Sequence, residues 1–505
     1  MKKMLLTLTA VLAVLTTSAT TDGWNASFEP VSDAAELKGV HSTTAADGSV
    51  YVSSTYNKAF TFAGKEIADP EGLTSACIVK YNEKGEEQWA VTMAGNAVVY
   101  DIDADTDGTL YAAGNFMEKV TYTGANGESS EIGSEGVYSA FVAKISNAGA
   151  VEYVSVITPA VNAEIASKVG DPWGTGFESP LYTMWDPIYV TPNKIQVEGE
   201  KVYVSAKYMG DVERLGWKGS YIDMFGMMYS DNYSMGVFSL NKSDLKEATS
   251  IANVQMTGIV SDVQYYPEAL NFVAENGTVY VGFIGFQKLT LTTAAGAQDF
   301  TFAASEDGGS LEHAFVLATI NASTTTKTYN VAMHDKLAKP YNLYMDVAGD
   351  NLLIGGTFFG ELPFDTQKTT GELASDIFVA SVKKADGATN WAYVSGKESE
   401  ATCMTQTGET VLISSTGNGY SLLNLTTGEA TQSNEQTLTC ADGTATVYIT
   451  ETKVNINSIA STSSIGQIIA PVQPENGIIY NLAGQPVDKN YKGIVIQNGK
   501  KYIIK

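Results

Sequence analysis

The stretch Asp47-Gly48-Ser49-Val50-Tyr51-Val52 decides the fold, because variants of it return along the whole chain. It joins a two-residue hairpin turn to an apolar strand. Clear copies are Asp107–Ala112, Gly199–Val204 and Asn276–Val281, and looser ones are Gly349–Ile354 and Gly408–Ile413. The equivalent strand position falls at residues 51, 111, 203, 280, 353 and 412. Such a recurrence predicts a repeat architecture.

Each unit has a second half, which is another pair of strands. Its third strand is clearest at Ala76–Asn82, Ala140–Ser146, Ala314–Ile320 and Ile377–Val382. The fourth strand often opens on a large aromatic residue, namely Trp89, Tyr153, Tyr329 or Trp391. One four-stranded sheet cannot bury both of its faces, whereas sheets stacked radially around an axis can. The pattern favours a β-propeller over the alternative, a pair of β-sandwiches.

Over residues 39–430 the pattern resembles the secreted bacterial repeats of the seven-bladed propeller type. Those repeats pair an A-F-V-A-K strand with a D-G-x-V-Y-V strand. We therefore predict an all-β fold: a β-propeller of six to seven four-stranded blades, followed by a short C-terminal β tail. Six units are evident, and Trp24–Lys38 with the hairpin Gln436–Lys453 would complete a seventh.

The composition limits the classes of partner. The 505 residues carry a net charge of −25 and a single arginine, Arg214. An acidic chain with so little arginine is poorly suited to nucleic acid or to anionic lipid, since both bind through cationic side chains. The three cysteines are too few for a disulfide framework, so we expect buried free thiols, with a Cys403–Cys440 bridge as the alternative.

The N-terminus has the form of an export signal. Met1-Lys2-Lys3 precedes an apolar run that ends near Leu15, and Ala19 ends a small-residue cleavage site. The apolar run is too short to span a bilayer, which takes about 20 residues. We expect a signal peptide over 1–19 and an exported chain that does not span the membrane, located at the cell surface or outside the cell.

The C-terminus contains three predicted strands, Ile478–Leu482, Ile494–Gln497 and Lys501–Ile504, the last two joined by an Asn-Gly turn. This end resembles the C-terminal sorting signal of the type IX (Por) secretion pathway, although Val495 stands where that family usually has an aromatic residue. The resemblance implies recognition by secretion machinery through Gly493, Lys500, Lys501 and Lys505. The predicted organisation is 1–19 signal peptide, 20–453 propeller, 454–474 linker and 475–505 sorting-like segment.

Two kinds of candidate site stand out. Asp103, Asp105 and Asp107 match the first half of a calcium loop, but Gly114 occupies the position of the bidentate glutamate. The alternative is a solvated acidic edge, and calcium is the one cofactor considered. Two insertions are rich in aromatic residues that could bind a glycan or a surface protein; the candidates are Trp173, Phe177, Tyr182, Trp185, Trp217, Tyr221 and Tyr229. The alternative for them is packing between the two insertions.

Signatures of enzymes are scarce. The sequence has no Gly-x-Ser-x-Gly, no phosphate-binding loop and no pair of histidines at metal-ligand spacing. We therefore expect a non-catalytic binding module. Two alternatives stay open: a glycan-cleaving hydrolase or lyase that uses paired carboxylates, and a structural component of the cell surface or of adhesion.

Overall fold

The computed structural model describes most of the chain from residue 23 onwards. The described residues are 23–70, 74–134, 137–160, 189–218, 234–256, 270–286, 288–302, 313–331, 342–362, 364–369, 375–443, 445–458, 479–481, 486–487, 493–497 and 500–504. Within them no helix is long and apolar enough to cross a membrane.

The described strands build seven antiparallel sheets of four strands, which are the blades of a β-propeller. From the axis outwards, blade 1 consists of β2 (His41–Thr44), β3 (Val50–Tyr56), β6 (Ser75–Tyr81) and the first part of β7 (Glu87–Ala104). Blade 2 consists of the second part of β7, β8 (Leu110–Thr123), β10 (Ser139–Ile145) and β11 (Val151–Ile157). Blade 3 consists of β12 (Tyr189–Glu198), β13 (Lys201–Met209), β14 (Ser234–Asn241) and β15 (Ala248–Met256).

The remaining four blades follow the same order. Blade 4 consists of β16 (Leu270–Glu275), β17 (Thr278–Phe286), β20 (His313–Ile320) and β21 (Thr324–Val331), and blade 5 of β22 (Leu343–Ala348), β23 (Asn351–Phe359), β26 (Ser375–Lys383) and β27 (Thr389–Val394). Blade 6 consists of β28 (Ala401–Thr407), β29 (Thr410–Ser415), β30 (Gly419–Asn424) and β31 (Ala430–Asn434). Blade 7 consists of β32 (Cys440–Asp442), β33 (Ala445–Thr450), β34 (Lys453–Ser458) and β1 (Trp24–Phe28).

The N-terminal strand completes the last blade, so the seventh blade is built from both ends of the propeller sequence. Strand β1 pairs antiparallel with β34, from Trp24 opposite Ser458 to Phe28 opposite Val454. This confirms the upper blade count. Strand β34 extends to Ser458, five residues beyond the expected end of the propeller at residue 453.

Blades 1 and 2 are joined without a loop, which the sequence pattern did not predict. Strand β7 forms the outer edge of blade 1 and then continues as the inner strand of blade 2. The register shifts around Gly95, whose φ is +138°, and a Cβ atom there would lie 2.6 Å from the carbonyl oxygen of Lys119. Glycine is therefore required where the strand changes blade.

Shorter elements are added to the seven blades. They are the hairpins β4 (Phe60–Phe62) with β5 (Lys65–Ile67), β18 (Lys288–Thr293) with β19 (Gly296–Thr301) and β24 (Glu361–Leu362) with β25 (Asp365–Thr369), the strand β9 (Ser129–Gly133) beside β8, and the 3₁₀ turns Ala34–Glu36 and Glu213–Leu215. Strand β18 also pairs with β15, and this hairpin therefore extends the sheet of blade 3.

The strand order separates the connections onto two faces. Inner-to-second and third-to-outer strand connections share one face, here called the tight-turn face, and the Asp47-Gly48 and Asp107-Gly108 turns belong to it. Second-to-third connections and the links between blades share the other, the long-loop face. The connections 158–188, 210–233, 257–269, 287–312 and 332–342 all join strand ends at the long-loop face.

The core lies between blades rather than within them. Seven buried apolar clusters are present among the described residues, one at each joint between neighbouring blades. The two largest, between blades 1 and 2 and between blades 2 and 3, contain 17 buried residues each, whereas the cluster between blades 6 and 7 contains five. All three cysteines are buried free thiols, and the alternative Cys403–Cys440 bridge is not formed.

The C-terminal residues form a separate four-stranded sheet in the order β36 (Pro486–Val487), β35 (Ile479–Asn481), β37 (Gly493–Gln497), β38 (Lys500–Ile504). The three predicted strands are present, and β36 is an addition to them. Gln497 pairs with Lys500, which is the register of a two-residue hairpin.

Candidate functional site in the central channel

The inner strands of all seven blades surround a central channel with a volume of about 590 Å³. Ionisable side chains of the described residues that line it are His41, Asp101, Asp103, Lys194, Asp346 and Asp442. These groups come from blades 1, 2, 3, 5 and 7. The topology thus gathers on one axis residues that are far apart in the sequence.

The channel carboxylates bind the backbone of the next blade. Asp101 and Asp103 point from blade 2 to blade 3, where they accept hydrogen bonds from the backbone N–H groups of Ile195 (2.9 Å) and Val197 (2.7 Å). Asp442 points from blade 7 to blade 1 and accepts from the N–H of Thr44 at 2.8 Å. Each carboxylate therefore acts as a tie between blades.

Asp346 makes the same kind of tie from blade 5 to blade 6, where it accepts from the N–H of Gln406 at 3.2 Å. Amide side chains serve the joints in between. Gln196 makes two hydrogen bonds to the backbone of Ala274, at 2.8 and 2.9 Å. Asn271 donates to the carbonyl of Leu343 at 2.8 Å. Because these polar groups are withdrawn from bulk water, each satisfied bond contributes to holding the ring in one arrangement.

Lys194 links three blades through its ammonium group. The Nζ atom donates to the backbone carbonyls of Phe272 and Met345, both at 2.9 Å, and to Oδ1 of Asn271 at 3.3 Å. Burial lowers the pKa of Lys194, and the surrounding carboxylates, Asp346 first among them, oppose that shift. The ammonium group supplies the positive charge that the acidic channel needs.

Burial dominates the titration of the channel acids. It raises the pKa of Asp101 and of Asp103 to about 7, against the hydrogen bonds from Ile195 and Val197, which favour the charged forms. The pKa values of Asp346 and Asp442 are raised for the same reason. Burial thus brings the pKa of Asp101 and of Asp103 close to neutral pH.

His41 is the neighbour of Asp101 in blade 1. Its Nδ1 atom lies 3.7 Å from Oδ1 of Asp101, and its side chain keeps 36% of its surface exposed to the channel. Burial in the channel wall nevertheless lowers the pKa of His41 to about 4, because the imidazolium form would lose hydration. The imidazole is therefore neutral at physiological pH, and the contact is not an ion pair there.

Away from the axis, aromatic residues connect neighbouring blades. The Trp89 indole N–H on blade 1 donates to the carbonyl of Asn147 at 3.0 Å in the turn of blade 2. A Cβ atom at Gly149 of that turn would lie 2.9 Å from the Trp89 ring, so glycine allows the ring to sit there. Three further aromatic residues make the equivalent contact on the next blade: Trp24 over Gly85, Tyr329 at Gly387 and Trp391 over Gly428.

The three aspartates of the calcium hypothesis have separate partners. Asp103 binds Val197, Asp105 forms an ion pair with Lys242 at 2.8 Å, and Asp107 accepts from the N–H of Thr109 at 2.8 Å within its turn. Among the described residues, no group of three or more His, Cys, Asp or Glu side chains is arranged to hold a metal ion. The structure does not bring the three carboxylates together.

Trp217 is a core residue. Only 2% of it is exposed; its ring stacks on Tyr208 with centroids 4.8 Å apart, and its indole N–H donates to Ser250 at 2.7 Å. Trp217 thus packs on the sheet of blade 3, whereas the expected alternative to ligand binding was packing between the two insertions. The other aromatic candidates, Trp173, Phe177, Tyr182, Trp185, Tyr221 and Tyr229, lie outside the described residues, as does Lys505.

The tail residues Gly493, Lys500 and Lys501 are described by their strands alone. Gly493 begins β37, and Lys500 and Lys501 begin β38, the partner strand. The signal segment 1–19 lies outside the described residues.

Sequence reasoning missed Lys194, Asp346 and Asp442. Their signal is a charged side chain in the strand just before a turn, as in Met345-Asp346-Val347. Such a residue in the inner strand of a propeller has the next blade's backbone beside it. Asp101 and Asp103 carry the same signal, which the calcium-loop pattern obscured.

No protein-family model matches the chain, and no curated protein does either. Similar solved structures include the following three. The computationally designed Ika8 protein has a TM-score of 0.36 and 10% sequence identity, and the match covers 85% of this chain and 99% of that one; BamB from Moraxella catarrhalis has a TM-score of 0.37 and 10% identity, with coverage of 87% and 100%. Sqt1 from Saccharomyces cerevisiae has a TM-score of 0.40 and 8% identity, with coverage of 88% of this chain and 100% of that one. At these values the strand order carries the assignment of the fold. By that order, the chain is a seven-bladed β-propeller that is closed by its N-terminal strand.

Proposed function

We propose that this propeller is a non-catalytic binding module whose ligand contacts lie at the long-loop face. The observation that carries the proposal is the asymmetry of the two faces. The long connections start and end at one face, whereas the other carries tight turns. Ligand contacts concentrate on loops that a rigid scaffold positions, and the channel ties described above provide such a scaffold.

The ligand class that we favour is a glycan, with a surface protein as the alternative. The aromatic insertions begin after β11 and β13, which both end at the long-loop face. Aromatic rings offer flat apolar surfaces with polar edges, which suit sugar rings. The net charge of −25 favours neutral or cationic partners over anionic ones.

A glycan array with the chain from residue 20 onwards tests this proposal. Replacing Trp173 or Trp185 by alanine is expected to weaken binding at least about fivefold, the effect of losing one aromatic contact of ~1 kcal/mol. Tyr153→Ala is the matched control, because this tyrosine is 42% exposed but lies on the outer strand of blade 2. If Trp173→Ala and Trp185→Ala bound the glycan as strongly as Tyr153→Ala does, the proposed role of the insertions would be contradicted.

We further propose that the chain is exported and reaches the cell surface or the medium through its two ends. The segment 1–19 has the pattern of a signal peptide, and residues 475–505 resemble a type IX sorting signal. Cells that express the chain with and without residues 471–505 test the second part. Loss of surface delivery with retention in the periplasm is expected; unchanged delivery would refute the sorting role.

A glycan-cleaving activity is the second candidate, and one observation favours it. Asp101 and Asp103 have pKa values raised to about 7 in a channel that holds a lysine and two more carboxylates. Release of reducing sugar from a panel of polysaccharides would reveal the activity. Its loss in Asp103→Asn, with an unchanged fold, would assign it to the channel, whereas no release by the parent chain would leave the binding module.

A further inference from the structure

Six of the seven joints between blades are closed on their outer side by a defined element. Four use the aromatic contact of Trp24, Trp89, Tyr329 or Trp391 with the next blade. Between blades 3 and 4 the β18–β19 hairpin pairs with β15.

Between blades 2 and 3 the segment 212–217 fills the joint. Its Arg214 guanidinium donates to the backbone carbonyls of Val156 (2.9 Å) and Lys246 (2.7 Å), and so connects the outer strand of blade 2 to a turn of blade 3.

The seventh joint, between blades 6 and 7, has none of these elements within the described residues. The outer strand β31 of blade 6 has no aromatic residue and no buried residue, whereas Trp89, Val91 and Met93 of β7 are all buried. In blade 7 the third strand β34 and the outer strand β1 come from opposite ends of the propeller sequence, so no hairpin turn joins them to receive an aromatic ring.

An open cavity of about 530 Å³ lies against the sheet of blade 7, on the side where Tyr448 packs on the cluster shared with blade 6, and it is here called the blade 6–7 cleft. Its wall is the sheet of blade 7, and its lining residues are Asn25, Ala26, Ser27, Tyr448, Asn455 and Asn457. The volume falls within the range of about 300–1,000 Å³ that is usual for small-molecule sites. None of the described lining residues is charged at neutral pH.

The polar side chains form an ordered grid on adjacent strands. Asn25 pairs with Asn457 across β1 and β34, and Ser27 pairs with Asn455 in the same register. Tyr448 pairs with Asn455 across β33 and β34, and its ring packs against the apolar cluster of the joint. Tyr420 belongs to that cluster, and its buried hydroxyl has no hydrogen-bond partner among the described residues.

We propose that the blade 6–7 cleft binds a neutral oligosaccharide, at a site independent of the aromatic insertions. The amide of an asparagine both donates and accepts, so it can bind two adjacent hydroxyl groups of a sugar. Asn25 and Asn457 have no side-chain hydrogen bond to any described residue and are directed to the cleft. The Tyr448 ring supplies an apolar edge with a hydroxyl group. An uncharged wall on a chain of net charge −25 complements a neutral ligand and disfavours an anionic one.

Isothermal titration calorimetry of the chain from residue 20 onwards tests the proposal, with neutral cello-, malto-, xylo- and mannohexaose as probes and hexagalacturonic acid as the anionic comparison. Binding of at least one neutral hexasaccharide is expected, weaker or absent for the acid. Asn457→Ala and Asn25→Ala should each weaken it by about 3- to 10-fold, the usual effect of losing one hydrogen bond. The matched control is Asn390→Ala, an exposed asparagine on the outer strand of blade 5, which should bind like the parent.

Three results would overturn the proposal. One is no binding of any neutral probe, as would follow if the chain's own residues after Ser458 or a second copy covered the cleft. Another is binding that the two cleft variants leave unchanged. The third is binding that Trp173→Ala removes as completely as Asn457→Ala does, which would assign the sugar to the insertions. Because the cleft and insertion variants are separate, failure of one proposal is distinguishable from failure of the other.

Discussion

Replacing Asp101 by asparagine should stabilise the propeller at alkaline pH and reduce the dependence of its stability on pH. The carboxyl of Asp101 has its pKa raised from 3.8 to about 7, chiefly by burial. Between these values the folded state holds a proton that the unfolded state has lost. The free energy of unfolding of the parent chain therefore falls as the pH rises from about 4 to about 7, and above that it stays low.

The size of the effect follows from the same two values. A displacement of about three pH units corresponds to an upper limit of about 4 kcal/mol for one isolated carboxyl, at ~1.4 kcal/mol per unit. The side chain of Asp101 keeps 21% exposure to channel solvent, which screens its charge. We therefore expect a gain of about 1–3 kcal/mol for Asp101→Asn at pH 8.5, with little change at pH 4.5. The amide oxygen of asparagine can still accept the hydrogen bond from Ile195.

Urea unfolding followed by tryptophan fluorescence at pH 4.5, 6.5 and 8.5 measures this difference. The matched control is Asp47→Asn, since Asp47 lies in a turn on the surface, outside the channel lining. An Asp101→Asn chain that is less stable than the parent at pH 8.5, or that keeps the full dependence on pH, would refute the assignment of a raised pKa to this carboxyl.

Two further substitutions test the aromatic contacts between blades. Gly428→Ala should destabilise the propeller by about 2–4 kcal/mol in thermal melts, because the residue has φ +72° and a methyl group would clash with the Trp391 ring. The control Gly408→Ala, with φ +58° and open space around it, should cost only about 1 kcal/mol of stability. Equal losses of stability would mean that the Trp391 ring does not lie over Gly428. Trp89→Phe should lower the free energy of unfolding by about 1 kcal/mol, because the indole hydrogen bond is lost. Trp24→Phe should lower it less, because the buried indole N–H of Trp24 has no partner among the described residues. A larger loss of stability for Trp24→Phe than for Trp89→Phe would contradict these contacts.

The repeated strands could be predicted because their signals are local. Tyr51 and its five equivalents all lie on second strands, since an Asp-Gly or Asn-Gly turn with an apolar run describes both the turn and the strand after it. The segment Trp24–Lys38 was expected to help complete a seventh blade, and within it Trp24–Phe28 forms the closing strand.

The channel could not be predicted in the same way, because its bonds join segments that no local pattern relates. Asp103 binds Val197, and Lys194 reaches Met345, so each partner is a backbone group in another repeat. Backbone groups have no sequence signature. The merger of blades 1 and 2 through β7 was missed for a related reason: no local pattern distinguishes a glycine such as Gly95, which allows one strand to serve two sheets.

The pairing of β1 with β34 has a kinetic consequence. Trp24 emerges from the ribosome near the start of synthesis, but its partner Ser458 follows only near the end. At about 5–20 residues per second the interval is roughly 20–90 s, a long time for a strand with an unpaired edge. During that interval six blades can form while the ring stays open, and the slowest contact is the one with the greatest separation in sequence. A chaperone that covers Trp24–Phe28 would therefore delay closure without preventing the other blades from folding.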